Sequence, residues 1–250
     1  MGKRGRGEKE KNGKRIFMNI LITGASRGIG RELVNRYNNG KNKIYAVARN
    51  IDSLKDIENV VPIKLDLSDL EKVAHYFKNL DVKFDLVIAN AGISLPHSPL
   101  FTPFEDFKKT FDVNFFSVHA MLEGVVPKMD KGKIVFISSL ASLVAAPSSM
   151  PYSASKRALN SYAQSLRNLL APDIKVINIL PGFIKTDMTD KNDFYMPFLM
   201  DLKDGVDRII YAIEKEKKEY AFPKRFYYLI KLFNMLPLSL QDAILRKVGR

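Results

Sequence analysis

The sequence of 250 residues contains no cysteine. This absence excludes disulfide bonds and thiolate metal sites, and it fits a reducing compartment such as the cytoplasm. The three histidines, His75, His97 and His119, lie far apart without metal-ligand spacing, so we expect no metal site. No apolar run approaches the roughly 20 residues that a transmembrane helix needs. The Gly-x-Ser-x-Gly elbow that would indicate acyl transfer is also absent.

Positive charge is concentrated at the two ends of the chain. Residues 1–15 carry seven Lys or Arg and two Glu, and residues 224–250 carry six Lys or Arg and one Asp. Residues 16–223, with 27 basic and 24 acidic side chains, are almost neutral. A nucleic-acid enzyme more often carries basic residues along its body, so we expect no nucleic-acid partner. Residues 1–17 have little apolar content and are predicted to form a disordered basic tail.

Short apolar runs alternate with helical patterns between Asn19 and Phe222. This alternation predicts an α/β, doubly wound Rossmann fold with about seven parallel strands flanked by helices. Residues 18–223 are expected to form a single catalytic domain, and residues 224–250 an extra C-terminal arm of amphipathic helices. The predicted strands are Asn19–Thr23, Lys43–Ala48, Val61–Leu65, Asp85–Ala89, Lys133–Ile137, Lys175–Leu180 and Glu219–Phe222.

A glycine-rich turn follows the first predicted strand. Gly24, Gly28 and Gly30 open a helix expected to run to about Asn39. Glycines let the backbone approach a pyrophosphate, and the helix N-terminus supplies N–H donors and a positive dipole. The turn could instead be only a tight connection, but a strand before it and a helix after it favour dinucleotide binding.

NAD-binding units carry an acidic residue near the end of the second strand, where it bonds the ribose hydroxyls, but here arginine stands at this position. No Asp or Glu occurs from Leu33 through Ile51, while Arg49 ends the second strand and Arg27 lies within the glycine turn. Two guanidinium groups would bind a ribose 2′-phosphate, with no carboxylate to repel it. The pattern therefore favours NADP(H), the alternative being that Arg49 is a solvated loop residue.

Tyr152 and Lys156, four residues apart, share one face of a predicted helix. A nearby ammonium lowers the pKa of a phenol from roughly 10, so that the tyrosine can exchange a proton with an alcohol or carbonyl. The alternative is an exposed helical pair. Ser139 ends the fifth strand at the sheet edge where α/β proteins bind ligands, and Ser138 should point elsewhere. Asn114 disfavours a helix interior and predicts a bend there, unless it is a surface residue.

Five motifs, in order, resemble the short-chain dehydrogenase/reductase family over about residues 19–223. The resemblance implies an NADP(H)-dependent oxidoreductase that interconverts a ketone or aldehyde and an alcohol by hydride transfer. A dehydratase or epimerase on a related fold fits the spacing less well. The motifs are Thr23-Gly24-Ala25-Ser26-Arg27-Gly28-Ile29-Gly30, Asn90-Ala91-Gly92, Ser138-Ser139, Tyr152-Ser153-Ala154-Ser155-Lys156 and Pro181-Gly182.

The family pattern implies a role for each matched residue. Tyr152 would be the general acid/base, Lys156 would lower its pKa and bind the nicotinamide ribose, and Ser139 would hold the substrate oxygen. Asn114 would complete a proton path to solvent through a water and the lysine. Tyr152 and Lys156 are also expected to contact the cofactor, together with Gly24, Ser26, Arg27, Gly28, Ile29, Gly30, Arg49, Asp66, Leu67, Asn90, Ala91, Gly92, Pro181, Gly182, Ile184 and Thr186. Asp66 could equally be only a turn residue.

Three further features concern substrate and partners. Apolar side chains within residues 187–200 suggest an apolar substrate or a core-packing helix. In the family, the helix containing Asn114 and the helix beginning at Tyr152 form a dimer interface, so a homodimer is expected. The C-terminal arm replaces the family's Gly-rich end, which argues against the usual tetramer; it would pack on the body or a partner, and its basic flanks also suit a membrane surface.

Two other functional classes compete with the enzyme. One is a nucleotide-binding regulator or scaffold, which has no need of four catalytic groups. The other is a membrane- or nucleic-acid-binding protein that uses the basic ends of the chain.

Overall fold

The computed structural model describes residues 18–95, 101–145, 147–191 and 194–248. The predicted tail at 1–17 and part of the apolar segment at 187–200 lie outside the described residues. The strands are β1 Asn19–Thr23, β2 Lys43–Ala48, β3 Val60–Lys64, β4 Leu86–Ala89, β5 Gly132–Ile137, β6 Ile174–Pro181 and β7 Glu219–Phe222.

The seven strands form one parallel sheet in the order β3-β2-β1-β4-β5-β6-β7. The fold predicted from the sequence is confirmed, and each strand agrees with its predicted bounds to within one residue. The strand order reverses between β1 and β4, where a doubly wound sheet opens a ligand crevice at its carboxyl edge. The glycine turn, the Asn90 segment, Ser139 and Gly182 follow β1, β4, β5 and β6, so they meet at this edge.

Helices cover both faces of the sheet. The helices are α1 Gly28–Tyr37, α2 Leu70–Asn79, α3 Phe104–Phe111, α4 Ser117–Val125, α5 Met150–Leu169, α6 Leu202–Glu214, α7 Lys224–Asn234 and α8 Leu238–Val248. One core contains Phe77 of α2 and Phe136 of β5, and the other contains Leu33 of α1 and Ile209 of α6. Burial on both faces explains why the central strands are continuous apolar runs.

A single helix predicted over residues 104–123 is divided in the structure. A π-helical segment, Asp112–Phe116, separates α3 from α4, and Asn114 lies in its middle and is fully buried. The predicted irregularity at Asn114 is therefore present, and the alternative of a surface asparagine is wrong. Single π-helical turns inside helices often occur at functional sites.

Of the two helices in the C-terminal arm, α7 packs one face on the body, whereas α8 is mostly exposed. Ile230 of α7 is buried against Leu140, Leu180 and Ala221. The Nδ2 of Asn234 donates to the Leu143 carbonyl at 2.9 Å. Among the residues that the structure describes, no helix combines the length and apolarity needed to cross a membrane.

Candidate active site

The lysine of the Tyr-x-x-x-Lys motif lies inside the protein. Lys156 is 3% exposed, and its Nζ donates to the carbonyl of Ile137, the last residue of β5, at 2.8 Å. A Cβ added to Gly92 would lie 3.3 Å from this Nζ and 3.4 Å from Oδ1 of Asn114. The glycine therefore lets the chain pass directly beside both side chains, and the exposed helical pair is excluded.

Asn114 fixes the π segment to two neighbouring elements. Its Oδ1 accepts from the Ile93 N–H at 2.8 Å, and its Nδ2 donates to the Ile93 carbonyl at 3.0 Å. The same Nδ2 donates to the Ser155 Oγ, also at 3.0 Å. Both polar ends of the amide are thus satisfied, and they join the chain after β4 to α5. The predicted water-mediated proton path remains a prediction.

Tyr152 and Lys156 differ from free side chains in opposite directions. Burial raises the pKa of Tyr152, and a hydrogen bond with the Ser139 side chain opposes that increase. Burial lowers the pKa of Lys156 to about 8, and its Nζ lies 5.9 Å from the centre of the Tyr152 ring. The expectation that Lys156 lowers the pKa of Tyr152 is therefore wrong for this structure, because burial outweighs the hydrogen bond that joins the Ser139 and Tyr152 side chains.

A polar network behind Ser139 was not foreseen from the sequence. Ser138 Oγ donates to Asn160 Oδ1 at 2.6 Å, and Asn160 Nδ2 donates to Ser142 Oγ at 2.7 Å. Asn178 Nδ2 also donates to Asn160 Oδ1, at 3.0 Å, and the Ser142 hydroxyl donates to the Ser139 carbonyl. Ser138 thus points away from the site. The available signal was that Asn160 lies one helical turn after Lys156 on α5.

The glycine turn depends on positive φ angles and on close backbone approaches. Gly24 and Gly28 have φ of +67° and +54°, and a Cβ at Gly30 would lie 2.1 Å from the Gly24 carbonyl oxygen. Helix α1 has no acidic residue in its first turn and no side-chain cap, so its N–H groups can bind phosphate. The backbone N–H groups of Asn90 and Ala91 both donate to Thr23 Oγ1 at 3.0 Å, which joins the ends of β1 and β4.

Arg27 and Arg49 are exposed beside this turn. The expectation of no nearby carboxylate is wrong, because a remote segment brings Asp187 to 3.6 Å from the Arg27 guanidinium. Partial burial raises the pKa of Asp66, but hydrogen bonds from Ser68 and the charge of Arg49 outweigh it and lower that pKa overall. Asp66 Oδ1 accepts from the Ser68 N–H at 2.9 Å, so it is a turn residue and its predicted adenine contact stays a prediction.

Two contacts unforeseen from the sequence hold the loop after β2 against the glycine turn. Ser53 Oγ donates to the Ser26 carbonyl at 3.3 Å. The guanidinium of Arg31 donates to the Ser53 carbonyl. This loop therefore borders the surface on which Arg27 and Arg49 lie.

The chain after β6 closes the opposite side of the crevice. Thr186 faces the glycine turn, because a Cβ at Gly28 would lie 3.4 Å from its Cγ2. Ile184 is buried against Gly205 of α6 and forms a β-bridge with Met200. The Gly182 N–H donates to the Phe222 carbonyl at 2.7 Å. These contacts hold the segment with the predicted cofactor residues Gly182, Ile184 and Thr186 between β6 and the glycine turn.

Aromatic side chains connect the segment after β6 to α7. We refer to residues 194–200 as the lid. The Phe183 ring lies 6.0 Å, centre to centre, from both Phe194 and Phe226, and Phe198 lies 5.9 Å from Phe226. The lid also exposes Tyr195 and Leu199. The wall formed by these side chains is apolar.

Comparison with known proteins gives matches over most of the chain. The family model for short chain dehydrogenase matches residues 18–194. An uncharacterized oxidoreductase of Myxococcus xanthus is 31% identical over 247 residues, which is 93% of this chain and 98% of that protein. The NADPH-dependent 1-acyldihydroxyacetone phosphate reductase of Saccharomyces cerevisiae is 33% identical over 185 residues, which is 68% of this chain and 62% of that protein.

Solved structures agree with the fold and differ in their cofactor. A short chain dehydrogenase from Burkholderia cenocepacia in complex with NADP has a TM-score of 0.78 and 27% identity, covering 92% of this chain and 98% of that one. A 4-hydroxyisoleucine dehydrogenase at 25% identity and a TM-score of 0.71 contains NADH instead, with coverages of 82% and 96%. Both of these neighbours therefore bind a nicotinamide dinucleotide, but one binds NADP and the other NADH.

Proposed function

The chain belongs to the short-chain dehydrogenase family, and we propose that it is an NADP(H)-dependent reductase or dehydrogenase acting on an apolar ketone or aldehyde and its alcohol. The observation that carries this proposal is the meeting of Ser139, Tyr152 and Lys156 beside the glycine turn, with Asn114 behind them. Membership of the family supports oxidoreductase activity and NAD(P)(H) binding, and the preference for NADP and the apolar substrate class belong to the proposal.

The residues of the crevice fit the cofactor, and each has a separate role in binding or in proton transfer. A Cβ at Gly30 would collide with the Gly24 carbonyl and one at Gly24 with the Ala91 backbone, so glycines are what allow this tight turn, and the N-terminus of α1 would hold the pyrophosphate. When bound, NADP(H) supplies the hydride. Ser139 would donate a hydrogen bond to the carbonyl oxygen, and Tyr152 would give its proton to that oxygen as negative charge develops. Lys156 would stabilise the resulting phenolate and bind the nicotinamide ribose.

Two observations support the finer parts of the proposal. The exposed guanidinium groups of Arg27 and Arg49 favour a 2′-phosphate, and the Burkholderia cenocepacia structure contains NADP. The aromatic lid favours an apolar substrate, and the yeast relative is described as a reductase of an acylated phosphate ester.

The first experiment compares thermal unfolding with saturating NADPH and with NADH. A ligand at a hundred times its dissociation constant stabilises by about 2.7 kcal/mol, which raises the unfolding midpoint measurably. We expect the larger shift with NADPH, followed by NADPH oxidation on a panel of apolar aldehydes and ketones. No shift with either nucleotide would favour the alternative of a regulator or scaffold protein without catalytic activity. Tight lipid or nucleic-acid binding without reductase activity would favour a membrane- or nucleic-acid-binding protein that uses the basic ends of the chain.

The Tyr152→Phe variant tests the proposed acid. Because the phenol hydroxyl is the proton donor, we expect kcat to fall by about 10²- to 10⁴-fold while the NADPH dissociation constant stays nearly unchanged. Tyr162→Phe is the matched control on α5, since Tyr162 OH bonds to His119 Nδ1 at 2.8 Å, away from the crevice. Equal turnover in both variants would remove Tyr152 from the mechanism.

A further inference from the structure

Helix α7 presents an exposed apolar face in addition to its buried one. Tyr228, Leu229, Leu232 and Met235 are all exposed, with Leu232 at 62% and Met235 at 80%. At about 100° per residue, these four side chains fall within an arc of about 120° on the side opposite to Ile230. We call this surface the α7 face. An apolar stripe of this width on a surface helix normally packs against a partner.

The lid lies beside the α7 face. Phe226, one turn before Ile230, contacts Phe183 and Phe198. Phe194, which contacts Phe183, is half exposed, and Tyr195 is 87% exposed. The lid therefore packs on the Phe226 side of α7, and it adds the exposed rings of Phe194 and Tyr195 to the apolar surface of this region.

Basic side chains lie on and beside the α7 face, because at 100° per residue Arg225 falls within its arc and Lys224 and Lys231 fall at one edge. Among the described residues of α7 and α8, five are basic, and Asp242 is the single acid; the basic ones are Lys224, Arg225, Lys231, Arg246 and Lys247. Lys224 and Lys231 lie along one edge, with their Nζ atoms 5.4 Å and 5.3 Å from the centre of the Tyr227 ring. A helix with an exposed apolar stripe and a basic border is the kind that lies in the interface of an anionic bilayer.

We propose that the α7 face and the lid dock onto the surface of an anionic phospholipid bilayer. The bordering cations argue against a second copy of the chain as the occupant, because two such faces would bring like charges together. In this orientation α7 lies parallel to the surface, Lys224 and Lys231 reach the headgroups, and Leu232 and Met235 enter the acyl boundary. Docking does not depend on the proposed reaction, although it would place the lid against a store of apolar molecules.

The absence of tryptophan from the chain allows a direct test. Leu232→Trp places the sole tryptophan at the centre of the α7 face, and Leu169→Trp places it at the end of α5, where the leucine is 75% exposed compared with 62% for Leu232. With vesicles of phosphatidylcholine and about 30% phosphatidylserine, we expect a blue shift of emission for Leu232→Trp alone. A shift of the same size in both variants, or in neither, would overturn the proposal.

Vesicle sedimentation of the full chain supplies the second measurement. We expect binding to anionic vesicles at least about tenfold tighter than to pure phosphatidylcholine, weakened by salt. The double variant Leu232→Ser, Met235→Ser should lose this binding and keep its thermal midpoint, because both side chains are exposed. Unchanged binding in the double variant would assign the affinity to another segment, such as the basic residues 1–15. A wild-type dimer that becomes a monomer in the double variant would assign the face to a second copy; either result refutes the proposal.

Discussion

The buried Lys156 lowers the free energy of unfolding of the cofactor-free protein at neutral pH. Burial lowers its pKa from 10.5 to about 8, whereas the unfolded chain keeps the ordinary value. Between about pH 8 and pH 10.5 the unfolded state therefore binds more protons, so that the stability of the folded state rises with pH. The full difference corresponds to about 3 kcal/mol, since each pKa unit is worth about 1.4 kcal/mol. The cost is fully present below about pH 8 and is relieved as pH rises.

Lys156→Met removes this titration. We predict that the unfolding free energy of the wild type, minus that of Lys156→Met, increases by up to about 3 kcal/mol from about pH 7.5 to pH 10.5. Urea unfolding of both proteins without nucleotide measures the difference, and Lys203→Met on α6 controls for the loss of one exposed cation. A difference independent of pH would show that Lys156 is not desolvated as the structure indicates.

Arg49 is the residue on which the cofactor choice depends most. Arg49→Asp replaces a phosphate-binding cation by an anion, and one charged hydrogen bond contributes about 1.5–3 kcal/mol. We predict that the ratio of kcat/KM for NADPH to that for NADH falls at least about tenfold. Arg208→Asp, an equal charge change at an exposed position of α6, should leave the ratio unchanged. An unmoved ratio in Arg49→Asp would mean that the 2′-phosphate is held elsewhere, for example by Arg27.

The glycine turn shows how one element depends on a single close approach. At Gly30, an added Cβ would lie 2.1 Å from the carbonyl oxygen of Gly24 and 2.8 Å from its carbonyl carbon, so the backbone itself would have to move. Gly40, at φ of +76°, has no atom within 4 Å of an added Cβ. Substitution there costs only the left-handed conformation, about 1–2 kcal/mol.

Gly30→Ala and Gly40→Ala therefore form a matched pair. We predict that Gly30→Ala weakens NADPH binding by more than about tenfold and lowers the unfolding free energy by a larger amount than Gly40→Ala, whose NADPH affinity stays close to wild type. Isothermal titration with NADPH and urea unfolding measure the two quantities. Equal NADPH affinities would show that the turn accommodates the extra methyl group.

Local signals were sufficient to predict the sheet and the glycine turn. Strands are apolar runs bounded by polar residues, and the turn has glycines at fixed offsets, so both can be read from adjacent positions. The irregularity at Asn114 could be predicted from its poor helix propensity, and its role and that of Lys156 from the resemblance that the five motifs carry, whereas the burial of Lys156 was not predicted. The Asn160–Asn178 contact and the Arg27–Asp187 pair join residues of different elements that are remote in sequence, so adjacent positions do not predict them.

At the scale of the molecule, the two C-terminal helices differ in how they attach to the body. Phe226 and Ile230 of α7 pack against the end of the sheet and the lid, and Asn234 bonds to Leu143. Helix α8 is exposed over most of its length, and the Gln241 Nε2 donates to the Leu236 carbonyl at 2.8 Å. We therefore treat α7 as part of the folded body and α8 as an appendage.

Two truncations separate these roles. A chain ending at Leu236 keeps the buried side chains of α7, and we predict a free energy of unfolding within about 1 kcal/mol of the full chain. A chain ending at Pro223 loses the burial of Phe226, Tyr227 and Ile230, about 5 kcal/mol in total at roughly 1.5–3 kcal/mol per side chain. Because a domain of this kind is stable by only about 5–15 kcal/mol, the shorter chain should be marginally stable or unfolded and should lose NADPH binding.

Urea unfolding of both truncated chains, followed by circular dichroism, measures their free energies of unfolding. Equal stability of the two chains would make residues 224–250 a separate extension, whereas instability of both would show that α8 also supports the body.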